Sequence, residues 1–159
     1  MRNIVQTWLM EEGYQISSEE QPGFNFDLRV QIPNGVGFDV LQEINKNDSV
    51  AIISTISIAR DNSEQFNRLT TAQKGDFLWD LRISLLNFQI LTEYRPFTTT
   101  MYELPETITV NEQLWRDGLT KDRFMNSIRR VINATFLIIL KFQKAFGTQP
   151  AGSQPSYTG

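Results

Sequence analysis

Six acids are the raw material for any acid–base or metal chemistry in this chain: Glu11-Glu12, Glu19-Glu20, and Asp27 with Asp39. Nothing softer accompanies them, because the 159 residues include no histidine and no cysteine. Histidine is the side chain that titrates near neutral pH and the commonest metal ligand. Cysteine supplies thiolate zinc ligands, thiol nucleophiles and disulfides. A Ser/His/Asp triad, a histidine-bearing zinc site and a facial-triad iron site are therefore excluded. Magnesium held by two acids, or a carboxylate pair acting as acid and base, is all that survives. Asp27 and Asp39 fall on the polar faces of adjacent strand-like runs, where they could oppose each other. Solvated surface charge is the simpler account of all three pairs. The segment Pro33-Asn34-Gly35-Val36-Gly37 lacks the Lys-Ser/Thr of a phosphate loop and reads as a turn. No catalytic residue, metal site or cofactor is expected.

Charge offers a second kind of chemistry. The chain has 15 basic and 18 acidic side chains, net −3. Residues 1–59 hold 3 basic and 8 acidic groups, residues 60–115 hold 5 and 8, and residues 116–159 hold 7 and 2. An acidic body thus carries a basic end. Arg129, Arg130, Lys141 and Lys144 share the polar side of one predicted helix, with Lys121 and Arg123 near its start. Such a face contacts nucleic-acid or ribosomal phosphates in other proteins. Here it has no interleaved aromatics for base stacking, in a protein of pI about 5.0. A solvated face, or one docked on acidic residues of another subunit, is the competing reading.

These side chains must be positioned by elements that the periodicity outlines. Residues 3–12 read as a helix stopped by Gly13, and 15–23 as a polar link. Residues 24–32, 36–44 and 49–59 read as an antiparallel meander, turned by Pro33-Asn34-Gly35 and Asn45–Asp48. The run SVAIISTISIA is apolar and β-branched at nearly every position, as in a central strand covered on both faces. Ser63 is the expected cap of a short helix reaching Leu69. A main helix is expected over 71–94, ending before Pro96, then strands at 98–104 and 107–110. Thr120 caps the last helix, which ends at Gly147. The remainder, 148–159, is rich in Pro, Gly, Ser and Gln and reads as a flexible tail. The expected fold is a single α+β domain over 1–147: an antiparallel sheet of about five strands packed by an N-terminal, a central and a C-terminal helix. No run approaches the ~18–20 apolar residues of a membrane span. The N-terminus lacks the apolar core of a signal peptide, so a cytoplasmic location is expected.

The main helix poses the functional question. In FLWDLRISLLNF, residues 77–88, Phe77, Leu78, Leu81, Leu85 and Phe88 fall on one arc at about 100° per residue. Trp79, Ile83 and Leu86, continued by Ile90, fall on a second arc nearly opposite. The first can lie on a sheet; the second needs another cover, either the protein's own helices, a second copy or a client protein. Leu137 and Leu140 pose the same question on the polar side of the last helix. We take Trp79, Ile83, Leu86, Ile90, Leu137 and Leu140 as the candidate interface.

The order helix, three strands, long helix, two strands, helix resembles the fold of type III secretion chaperones and the related YbjN-like proteins. The segment Phe77-Leu78-Trp79-Asp80-Leu81-Arg82 resembles the most recognisable stretch of a small prokaryotic family known as a domain of unknown function. The chaperone resemblance implies a small, acidic, cytoplasmic homodimer that holds a client segment without catalysis. The expected function is therefore a non-catalytic protein-interaction or chaperone-like module, with a protein partner or itself. The alternative is a nucleic-acid- or ribosome-associated protein that uses the basic face of the last helix.

Overall fold

Alternation of apolar side chains sets the two faces of the sheet. In the computed structural model, which describes residues 1–19, 21–32, 36–96 and 102–147, Phe26, Leu28 and Val30 of β2 (Phe24–Gln31) point one way. Register carries that face across β3 (Gly37–Glu43) and β4 (Ser49–Ser57): Leu28 lies opposite Val40, and Val40 opposite Ile52. It continues through β6 (Thr107–Trp115), where Leu114, Val110 and Ile108 face Val50, Ser54 and Ile56. β1 (Gln15–Glu19) and β5 (Leu91–Arg95) close the two ends. The six strands run in the order β1-β2-β3-β4-β6-β5, every neighbour antiparallel.

All four helices contribute to one hydrophobic cluster with that face. α4 (Lys121–Phe146) lies over β4 and β6, and α1 (Arg2–Glu11) over β1. α2 (Arg60–Asn67) and α3 (Thr71–Leu86) pack against α4, with Phe77 set among Phe66, Phe142 and Phe146 at ring-centroid distances of 6.1, 5.3 and 5.1 Å. Local signals end these helices. Thr120 Oγ1 accepts from the Arg123 amide at 3.3 Å, and Gly147 closes α4 at φ 69, a conformation glycine adopts without strain. Thr70 and Gln73 form a reciprocal capping box: the Gln73 amide donates to Thr70 Oγ1 at 3.3 Å, and the Thr70 amide donates to Gln73 Oε1 at 3.0 Å. Thr70→Ala is expected to cost about 1 kcal/mol, read as a fall in Tm of about 2–4 °C. An unchanged melt would show that the cap is replaced by water.

The α+β class holds, and β4 is central and buried on both faces, Val50 and Ile52 on one and Ser49 and Ile53 on the other. Several boundaries differ from the expectation. The polar link contains an edge strand, β1, because Ile16 alone packs on the cluster while its neighbours need only backbone pairing with β2. Ala59 rather than Ser63 precedes α2, and Ser63 lies inside that helix. The main helix ends at Leu86, eight residues early. Gln89 takes a left-handed φ of 52, and the chain turns into β5, whose Thr92 and Tyr94 suit a strand as well as a helix. Pro96 therefore follows a strand, not a helix. β6 runs on from the expected 107–110 to Trp115. Residues 102–104 are not a strand, while 98–101, the turn at 33–35 and the tail at 148–159 lie outside the described residues.

Candidate interaction surface

On α3 the two arcs separate as the period requires. Leu78, Leu81 and Leu85 are buried in the core. Trp79 is 58% exposed, Ile83 41% and Leu86 68%. With Gly75 one turn before Trp79, they form a single ridge at spacings of three and four residues. α4 packs antiparallel beside this ridge. Phe77 meets Phe142 and Phe146, and one turn later Asp80 accepts from Lys141 Nζ at 2.5 Å. Leu140, about 200° round α4 from the buried Ile138, comes to the outer side next to that contact and is 59% exposed. At the other end, Tyr102 rests on Gly75, where an added methyl group would sit 3.2 Å from Tyr102 Cε1. Tyr102 is 51% exposed, and sequence reasoning missed it: only the small residue at 75 hinted that something approaches α3 there.

Two members of the expected interface belong elsewhere. Ile90 is not on the helix at all; it follows the turn at Gln89 and is buried, because the helix ends before it. Leu137 is half-buried and packs on the core cluster. Among the described residues, no helix of the chain lies over Trp79, Ile83 and Leu86.

The four basic residues do not act as one face. Arg130 turns toward the sheet, where its Nη2 donates to Glu112 Oε1, which also accepts from Ser127 Oγ at 2.7 Å. Lys141 is held by Asp80. Arg129 Nη1 donates to Asn126 Oδ1 at 2.9 Å, and Lys144 is exposed near the C-terminal end. Arg123, Arg129 and Arg130 line an open groove of about 510 Å³ with Asp122, Asn126 and Asn133. Basic charge is thus partly neutralised within the fold.

Glu11, Glu12 and Asp39 are likewise engaged. Lys121 Nζ bridges Glu11 and Glu12 at 2.9 and 3.0 Å. Hydrogen bonds to Glu11 and then Glu12 hold the Lys121 ammonium above its ordinary pKa. Asp27 and Asp39 are not the solvated pair expected. Both are buried, and the register sets Asp39 opposite Arg29 and Asp27 opposite Leu41, so the two are diagonal. The Arg29 Nε donates to Asp39 Oδ1 at 3.4 Å, and this partner is what lets a carboxylate leave water. Glu20 lies outside the described residues. Among the described residues no three acids assemble into a group that would hold a metal ion, and no helix is long and apolar enough to cross a membrane.

Two tyrosines carry a pH signature. Burial raises Tyr94 above the ordinary value of 10.0, opposed by Arg82, whose guanidinium lies 5.2 Å from its ring centroid. Burial also raises Tyr14, opposed by Arg129 and reinforced by Glu12. A raised folded pKa means the folded state keeps its proton longer than the unfolded chain. Its contribution is intact below about pH 10 and is lost as the pH climbs through the folded value. Ultraviolet titration should show two late-ionising tyrosines, with stability falling above that pH. An identical alkaline fall in Tyr94→Phe would remove Tyr94 from this account.

A solved structure of an uncharacterised protein from Methanothermobacter thermautotrophicus superposes with a TM-score of 0.82 at 23% identity, covering 92% of this chain and 99% of that one. That likeness establishes a shared fold. The solved structure of YbjN from E. coli overlaps at a TM-score of 0.45 and 14% identity, covering 98% of this chain and 96% of that one. No curated protein matches. A family model matches residues 1–142, nearly the whole folded region, and the chain belongs to that family of uncharacterised conserved proteins, DUF2299.

Proposed function

We propose that the protein is a non-catalytic interaction module that works as a homodimer through the outer ridge of α3. The observation that carries this is the joint exposure of Trp79, Ile83 and Leu86 along one side of a helix whose other side is core. Tryptophan is among the residues enriched at interface centres, where neighbouring contacts such as Ile83 and Leu86 exclude water around it. The absence of histidine and cysteine from the sequence, and the ion pairing of Glu11, Glu12 and Asp39, argue against acid–base work. A chaperone-like role, in which the same ridge takes a segment of another protein, is the competing use of this surface.

Sedimentation equilibrium at tens of micromolar decides between them. The expected mass is twice 18.4 kDa. A monomer there ends the homodimer reading. Affinity capture with and without nuclease then separates a client, retained in both arms, from a nucleic-acid-borne partner, lost in one.

A further inference from the structure

β5 ends the sheet, so its outer edge pairs with no strand among the described residues. Such an edge is a template for another strand unless it is guarded. Exposed apolar side chains lie near it on both sides of the sheet. On the helix side, Arg82 stacks on Tyr94 and thereby ties α3 to β5, and α3 carries the exposed Trp79 and Leu86. On the opposite side, Leu91 is 61% exposed. Glu93 and Arg95 share that side with Leu91, since all three alternate with Thr92 and Tyr94.

We infer that β5 pairs antiparallel with β5 of a second copy about a two-fold axis at Tyr94, joining the two sheets into one. This deepens the homodimer reading and rests on it. Charge selects the register. In a two-fold pair whose helices stay on one side, directly opposed residues lie on the same face, so the axis must pass through a residue. Centred on Glu93, it would set two carboxylates against each other; centred on Thr92, it would set Leu91 against Glu93. Centred on Tyr94, it sets Glu93 of each copy opposite Arg95 of the other, two complementary pairs. Area supports the same arrangement. The ridge alone offers a few hundred Å², set against about 800 Å² per partner in a stable complex. Edge pairing adds the strand, with its Glu93, Tyr94 and Arg95, to the ridge in one interface.

Glu93→Arg and Arg95→Glu test this. Each alone opposes like charges twice across the axis, and each should weaken the homodimer by about tenfold or more in Kd. An equimolar mixture should dimerise like the wild type, because arginines of one copy then face glutamates of the other at both pairs. Only contact between copies gives that rescue; the bond within one chain, Arg95 to Glu93 at 3.5 Å, is absent from both singles whether mixed or not. Arg95 is exposed, whereas Glu93 is half-buried and also accepts from Asn111 Nδ2 at 3.3 Å, so thermal melts check that the singles fold. Singles that dimerise as wild type, or a mixture no tighter than its components, overturn the β5 pairing while leaving a ridge-mediated dimer intact. A monomeric wild type removes both.

Discussion

Ile83→Asp is expected to turn the dimer into a folded monomer. In the monomer the new carboxylate sits at a position that is 41% exposed and faces water, so the fold loses little. In the dimer the same carboxylate is desolvated against apolar neighbours without a partner, a cost of about 3 kcal/mol or roughly 100-fold in Kd. Sedimentation with a parallel melt reads both terms. A variant that unfolds would mean that Ile83 is part of the core of the subunit. A variant that stays folded and dimeric would move the interface off α3. A folded variant of unchanged mass that loses a captured protein would mark the ridge as a client site.

Phe142→Ala should have the opposite signature, with stability lost and association kept. Phe142 is fully buried, and its ring lies 5.3 Å from Phe77 and 5.8 Å from Phe146, so it joins α3 to the end of α4. Truncating a buried phenylalanine removes its transfer energy and leaves a cavity that the neighbours fill only in part, about 3–5 kcal/mol. For a chain of this size that is a fall in Tm of about 6–20 °C. Below the new midpoint the variant should still sediment as a dimer, because no ridge residue is altered. A loss of only a degree or two would show that Phe77 and Phe146 collapse into the space.

The contrast between the core face of α3 and the face that carries Ile83 was legible in the sequence. A 100° period in FLWDLRISLLNF is a property of the chain alone, and so are the Thr120 cap, the Gly147 stop and the exclusion of histidine and thiol chemistry. These signals act within about four residues, where local backbone sterics and hydrogen bonds dominate. Other features required partners far along the chain. LTEYR has no decisive local preference, and it becomes a strand because residues 107–111 pair with it. Arg130 leaves the basic face because β6 brings Glu112 beneath it, and Asp39 leaves the solvent because β2 brings Arg29 across. Whether the second arc of α3 is covered depended on where the other helices went. α1 lies over β1 at the opposite end of the sheet, and α4 takes only one flank of α3, so Trp79, Ile83 and Leu86 are left outward. Amphipathicity says that a face must be buried or used; only the placement of the neighbouring elements says which.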